Sequence, residues 1–223
     1  MAETASPTRT VERAVALLAT VAQRGGTLSE LARAVELSPS TASRLLGTLA
    51  RHELVSRDES GRYGAGRGLR RLAVASLRED PLYDLAGPHL EALAAETGET
   101  ANLVVPSGTE DAVYLRQVAS PKLVRTAVWT GRSVPRKGTA IGDALRGGVG
   151  GAGYATRSGR VEPDVTSIAA PLYGADGQIV AVLSVLAPTY RAGKRHVAAC
   201  GRALVRHAGE LSRSLGAAGD SRA

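Results

Sequence analysis

The chain has 223 residues, 43% hydrophobic and 22% charged, with 28 Lys and Arg against 21 Asp and Glu and a net charge of +7. This composition suits one large or two modest packed cores and excludes disorder of the whole chain, and the positive excess leans toward a polyanionic partner. Phe is absent and Trp129 is the only tryptophan, which leaves no aromatic platform for stacking unpaired bases. The lone Cys200 excludes an intrachain disulfide and a multi-cysteine zinc site. No apolar run approaches the ~18 residues of a membrane span, so a cytoplasmic protein without a membrane partner is expected.

Residues 1–9 are small and polar and read as an arm. From there Val11, Ala14, Val15, Leu18, Val21 and Ala22 recur at helical spacing until Gly25 and Gly26 break the pattern. Thr27 and Glu30 sit at the spacing of a capping box, opening a second helix whose buried stripe is Leu28, Leu31, Ala32 and Val35. Ser38 and Pro39 predict the cap and first residue of a third helix.

The third helix divides by residue type. Ala42, Leu45, Leu46 and Leu49 form one side, and Ser40, Thr41, Ser43, Arg44, Gly47, Thr48 and Arg51 the other, with no acid before Glu53. Small hydroxyl residues permit close approach to phosphates, and Arg44 has the reach to meet a base edge in a major groove. The same pattern alone also describes an ordinary amphipathic helix with a solvated face. What separates the two readings is the next segment: a strand at 54–57, a turn at 58–61 and a returning strand at 62–65, with Arg57 and Arg62 beside the tip. Three helices and a basic hairpin make a winged helix-turn-helix over residues 10–65, which docks on double-stranded DNA. Ser40, Thr41, Ser43 and Arg44 are the expected groove readers, and Ser38, Arg57 and Arg62 the expected phosphate contacts. Asp58 and Glu59 oppose phosphate contact at the very tip.

Residues 66–80 read as a linker helix with Leu69, Leu72, Ala73 and Leu77 on its apolar side and Arg67, Arg70, Arg71 and Arg78 facing outward. Pro81 opens a further helix that ends at Gly98, followed by strands at 101–105, 112–118 and near 123–129. The apolar run 179–186 reads as a central strand. In the last helix Val197, Cys200, Leu204, Ala208, Leu211 and Leu215 fall on one stripe, which makes Cys200 a packing residue. His196 lies one turn before it, but a nucleophile and base need a third, orienting group, and none is visible. His52, His89 and His207 show no metal-ligand spacing. No catalytic residue, metal site or cofactor is therefore expected, and the chain does not read as an enzyme.

Several segments resemble the IclR family of bacterial regulators: Val11-Glu-Arg-Ala-Val-Ala-Leu-Leu, Thr27-Leu-Ser-Glu-Leu-Ala, Leu37-Ser-Pro-Ser-Thr-Ala-Ser-Arg-Leu-Leu and Gly61-Arg-Tyr at the N-terminal end. Asp111-Ala-Val-Tyr-Leu-Arg, Gly153-Tyr-Ala, Ile168-Ala-Ala-Pro-Leu and Ala181-Val-Leu-Ser-Val-Leu-Ala-Pro continue the likeness. The resemblance implies an α+β chain in which the winged helix-turn-helix is joined by the linker helix to an α/β, GAF-like domain at 81–217 that binds an effector and forms oligomers, with a tail at 218–223. It implies a repressor that acts as a homodimer or dimer of dimers on operator DNA and responds to a small acid or aromatic metabolite. By motif, the effector contacts fall on Thr139, Ala140, Ile141, Arg157, Val165, Ser167 and Ser184, with the helix start at Thr139 offering amides to an anion.

Two departures stand out. Arg157 occupies a position where the family commonly has an acid, and Ser167 one where it often has cysteine. Only 147–152 separate the helix containing Ala144, Leu145 and Arg146 from Gly153-Tyr-Ala, where the family usually inserts roughly thirty more residues. The expected domain is thus shortened in its middle. Its pocket is either reduced, open and anion-selecting through Arg157, or no longer responsive, which would make the chain an effector-independent regulator.

Overall fold

The computed structural model describes residues 8–78 and 80–217, which divide into two compact units between Asp80 and Pro81. The expected arm falls outside these residues except for Thr8 and Arg9, and Arg9 already belongs to the first helix. The expected tail at 218–223 lies outside them entirely.

In the first unit α1 (Arg9–Arg24), α2 (Leu28–Ala34) and α3 (Pro39–Arg51) enclose a core of Leu17, Val21, Leu31, Ala32, Ala42, Leu46, Leu49 and Val55. The capping box forms: the Thr27 amide donates to Glu30 Oε2 at 2.8 Å, and the Glu30 amide donates to Thr27 Oγ1 at 3.4 Å. The apolar spacing in α1 marks the helix but misplaces its inner face. Leu17 is fully buried, whereas Val11 and Val15 are exposed. A short hairpin follows, β1 (Val55–Arg57) antiparallel to β2 (Tyr63–Ala65). Reciprocal backbone bonds between Gly26 and Tyr63, 3.0 and 2.7 Å, tie this wing to the link between α1 and α2.

Helix α4 (Arg67–Arg78) leaves the wing through a tight backbone crossing. A Cβ on Gly66 would lie 2.0 Å from the Glu53 carbonyl oxygen, so only glycine fits there. Glu53 itself adopts a positive φ of 59° and binds Arg67 and Arg71 from α4. Both arginines face water, as expected, while their guanidiniums are tied to the preceding turn. Beyond Leu69 the helix is exposed through Ser76, with Leu72 and Val74 both open to solvent.

The second unit is built on one antiparallel sheet in the order β5-β4-β3-β8-β7-β6. Its strands are β3 (Thr100–Ser107), β4 (Asp111–Val118), β5 (Ser133–Pro135), β6 (Ala155–Ser158), β7 (Val165–Tyr173) and β8 (Ile179–Pro188). Helices α5 (Pro81–Thr97) and α7 (Lys194–Ser214) cover one face, where Leu90, Leu93, Leu103, Leu183, Leu204 and Leu211 pack together. The short α6 (Ala140–Leu145) covers the other with Tyr114, Trp129, Val134 and Ile141. Strand β8 is the central strand that its apolar run, interrupted only by Ser184, implies, buried from Ala181 onward on both faces.

The expected strand near 123–129 does not form. The edge of β4 is instead occupied by β5, with Ala112 opposite Val134. The preceding segment is held by a side chain: Gln117 Oε1 accepts from the Trp129 amide at 2.8 Å, and Gln117 Nε2 donates to the Ala127 carbonyl at 3.3 Å. Leu123, Val124 and Val128 are exposed and, of the apolar residues, Trp129 turns inward, so those that suggested a strand have no sheet face to bury.

Candidate DNA-binding face and effector pocket

Helix α3 buries Ala42, Leu46 and Leu49 and turns Ser40, Ser43, Arg44, Gly47 and Thr48 to solvent, with Thr41 half-buried. Its start is a chain of hydroxyls. Ser38 Oγ accepts from the Thr41 amide at 3.3 Å, donates to Thr41 Oγ1 at 2.9 Å and lies 3.1 Å from Ser40 Oγ. Ser38 thus serves first as the helix cap, and its hydroxyl has little left for a phosphate. Among the described residues nothing binds the Arg44 guanidinium or the Ser43 hydroxyl, so both project unengaged from the exposed face.

The wing arginines are held more firmly. Arg57 Nε donates to the Gly61 carbonyl at 3.2 Å, with its guanidinium 5.6 Å from the centre of the Tyr63 ring. Arg62 lies 3.4 Å from Glu30 Oε2, on the carboxylate that also completes the α2 capping box. That carboxyl is held below its ordinary pKa by the Thr27 amide first and by Arg62 more weakly. The acid at the tip has a structural role: Asp58 Oδ1 accepts from Ser60 Oγ at 2.7 Å and from the Arg62 amide at 2.9 Å. These bonds lower its pKa and shape the turn that presents Arg62.

On the α6 face of the second unit, Thr139, Ala140, Arg157, Val165 and Ser167 line a small cleft that opens to solvent and whose enclosed space, about 20 Å³, is that of a single water. Five of the seven residues expected around an effector thus converge. Ile141 is instead buried in the core beneath α6, and Ser184 lies under the sheet surface without lining the space. Register explains the grouping. Arg157 on β6 pairs with Ser167 on β7, which pairs with Leu186 on β8, and Leu186 also lines the cavity. The remaining walls, Tyr114 on β4, Trp129 before β5, and Arg160, Val161 and Glu162 in the loop between β6 and β7, escaped sequence reading. A buried tyrosine and the single tryptophan gave the only signal, and burial is not visible in a linear pattern.

Polar capacity in this region is uneven. Thr139 Oγ1 accepts from the Gly142 amide at 3.1 Å and donates to the Pro135 carbonyl at 2.9 Å, so the threonine caps α6 and consumes a first-turn amide. A Cβ at Gly142 would lie 1.6 Å from the Arg136 carbonyl oxygen, so the turn before α6 is packed directly against its backbone. Ser167 Oγ, Ser184 Oγ and Asn102 Oδ1 are buried without a hydrogen-bond partner. Asn102 pairs with Ser184 across β3 and β8, placing this orphaned polar row in the same sheet face as the cavity floor. Arg157 Nη2 lies 2.7 Å from Asp143 Oδ2, an ion pair whose angle falls short of a hydrogen bond, and Asp143 Oδ1 accepts from Arg146 at 2.8 Å.

The one cysteine shows why a familiar constellation lacks the geometry of a triad. His196 Nε2 is 3.7 Å from Cys200 Sγ and 3.0 Å from Glu99 Oε1. An orienting acid must hold the ring nitrogen opposite the nucleophile, but here thiol and carboxylate face the same nitrogen. Glu99 is further held by Arg191 and Lys122. Burial first, and Glu99 second, push the thiol up to about 11, against the lowered pKa an activated cysteine needs. Among the described residues no helix is long and apolar enough to cross a membrane.

Comparison with known proteins agrees with this two-unit organisation. The model of the IclR helix-turn-helix domain matches residues 10–59, and that of the bacterial transcriptional regulator IclR C-terminal domain matches 74–146 and 149–213. The break in the second match coincides with the short link after α6. The chain is 28% identical over 249 aligned positions to the HTH-type transcriptional regulator BhcR of Paracoccus denitrificans, covering 95% of this chain and 88% of the relative. It is 29% identical over 138 positions to the HTH-type transcriptional repressor AllR of Escherichia coli, covering 60% of this chain and 51% of that protein. In fold it is similar to the crystal structure of an IclR homolog from Microbacterium hydrocarbonoxydans complexed with 4-hydroxybenzoate, with a TM-score of 0.73, 22% identity and coverage of 92% and 99%. The winged helix-turn-helix, the α/β unit that follows it in sequence and the family match over most of the sequence carry one conclusion: the chain belongs to the IclR family of bacterial transcriptional regulators.

Proposed function

We propose that the protein is a homodimeric transcriptional repressor that binds pseudo-palindromic operator DNA and is modulated by a small acidic or aromatic metabolite in the cavity beside α6. The observation that carries the DNA-binding part is the unengaged Arg44 at the centre of an exposed helix face free of acidic residues. Ser40, Thr41, Ser43 and Arg44 read the groove. Arg57 and Arg62, presented by the Asp58 turn, contact phosphates, with Ser38 contributing mainly by capping. Residues 10–65 form the DNA-binding domain, 66–80 the linker and 81–217 the effector domain. A two-fold assembly, as a dimer or dimer of dimers, matches two half-sites to two copies of α3, and the solvent-exposed Leu72 and Val74 of α4 favour self-association. Repression is supported by the function named for the AllR relative.

Effector control is supported by the cavity with its orphaned Ser167 hydroxyl, its aromatic wall and Arg157, and by the ligand in the structurally similar homolog. An acidic ligand competes with Asp143 for Arg157. Its capture loosens the tie between β6 and α6 that Asp143 makes through Arg157.

DNA selected by the purified protein tests the first half. Arg44→Ala is expected to weaken binding by about 1–3 kcal/mol and to relax preference at one position in each half-site, and unchanged affinity and selectivity would remove α3 from the groove. A thermal-shift screen of small acids tests the second. Hits should release DNA and lose their effect in Arg157→Ala, while a full screen without hits favours the effector-independent alternative.

A further inference from the structure

On the helical face of the second unit, opposite the α6 side that holds the cavity, a histidine of one helix meets a histidine and a glutamate of another. His89 lies on α5, and His207 and Glu210 lie one turn apart on α7. His89 Nδ1 is 3.1 Å from His207 Nδ1, and Glu210 Oε2 is 3.9 Å from each of these nitrogens. At 3.9 Å the carboxylate is too distant to hydrogen-bond either ring, yet it is held symmetrically between them. The point equidistant from all three atoms lies about 2.1 Å from each, within the bond lengths of zinc to histidine nitrogen and carboxylate oxygen, about 2.0–2.2 Å.

We propose that His89, His207 and Glu210 form a binding site for a divalent transition-metal ion of the zinc class, which clamps α5 to α7. Two imidazoles and one carboxylate suit zinc, nickel or cobalt rather than calcium or magnesium, which take all-oxygen shells. His207 is buried while His89 and Glu210 are half-buried, so the ion has a protein-lined seat and a route from solvent, and water completes its coordination. A supporting carboxylate is in place. Glu96 Oε2 lies 3.6 Å from His207 Nε2 and is itself held by Arg206. A carboxylate beside the outer ring nitrogen favours the tautomer with its proton there, leaving Nδ1 free to ligate. Without the ion one Nδ1 donates to the other across 3.1 Å, and metal binding displaces that proton.

The test uses the full chain, stripped with a chelator, dialysed and titrated with Zn²⁺ alone. One ion per chain is expected, with micromolar or tighter affinity and a rise in Tm of roughly 5–11 °C at a hundredfold excess over Kd. His89→Gln and Glu210→Gln should each weaken binding at least about tenfold, while His196→Gln, beside Cys200, should leave it unchanged. Glu210 is half-exposed, so its variant keeps the test valid if substitution at His89 harms folding. Equal zinc affinity in both variants, or no binding by the parent chain, overturns the proposal. Substitution with Co²⁺ adds a further check: a thiolate-to-cobalt charge-transfer band would place the ion on Cys200 and also overturn it.

Discussion

Replacing Glu99 with glutamine keeps the shape of a fully buried side chain and removes its charge, which isolates the electrostatics of one cluster. In the native protein Arg191 binds both carboxylate oxygens, Nε to Oε1 at 2.8 Å and Nη2 to Oε2 at 2.7 Å. Lys122 Nζ lies 3.1 Å and His196 Nε2 3.0 Å from Oε1. Removing one partner of a buried pair generally destabilises by about 3–5 kcal/mol, because the other charge stays buried and unpaired. Here Arg191 retains the Val124 carbonyl and the Tyr190 hydroxyl, each at 2.9 Å, and Lys122 and His196 both reach water. The lower end, about 3 kcal/mol or a fall in Tm of roughly 6–12 °C, is therefore expected. Urea unfolding followed by the fluorescence of Trp129, the sole tryptophan and buried in the same unit, reads this directly. Burial raises the Glu99 carboxyl pKa, but the hydrogen bonds of Arg191 and then Lys122 overcome that, and the net shift is downward. A depressed carboxyl contributes stability that is present above its unfolded pKa of about 4.3 and lost as pH falls through the folded value. The gap between parent and variant should therefore close in acid. A loss below about 1 kcal/mol at neutral pH would refute the reasoning and class the cluster with solvated surface pairs.

Two further outcomes follow from other charged and titratable groups. The Glu53 carboxyl, lowered to about 2 by hydrogen bonds from Arg67 and then Arg71, should contribute stability above its unfolded pKa of about 4.3 that disappears as pH falls toward 2. Glu53→Gln should flatten that limb of an acid titration followed by circular dichroism, and an unaltered limb would show that α4 does not depend on the pair. Cys200, with its thiol pushed up to about 11, should react with a disulfide reagent at pH 8 about a hundredfold more slowly in the native protein than in denaturant. Rapid native labelling would contradict its buried placement.

What could be read from the sequence was local. The Thr27 and Glu30 box, the Ser38 cap with Pro39, the turn at Asp58 and the close of α5 at Gly98 each depend on residues a few positions apart, and each forms where the spacing places it. The apolar run of β8 was legible because a strand buried on both faces needs no alternation. The inner face of α1 was less so, since Val11 and Val15 share the spacing of a buried stripe but are left exposed among the described residues. Edge strands β5 and β6 are three and four residues long, too short for a period-two pattern to register. The histidine pair spans 118 positions and the Glu99–Arg191 pair 92, so only the folded sheet and its helices reveal them.

The shortened link after α6 bears most directly on how such a regulator senses anything. Residues 146–154 join α6 to the start of β6 with positive φ at Gly147, Gly150 and Gly153 and one turn of 3-10 helix, Gly150–Ala152. A segment this short and glycine-rich supplies few side chains to roof a pocket. The covering role passes to the loop before β7, whose Arg160, Val161 and Glu162 line the cavity, and the tie between α6 and β6 passes to a single ion-paired side chain, Asp143. Because Asp143 holds Arg146 within its own helix and Arg157 on the neighbouring strand, any ligand that captures Arg157 acts on the position of α6 without a long lid having to move. Under the proposed effector control, sensing at this cavity works by competition for one arginine rather than by enclosure of a ligand. On this reading Asp143→Asn, which weakens the competitor and leaves the cavity lining intact, should tighten binding of an acidic effector, whereas a pocket that works by enclosure would be indifferent to it.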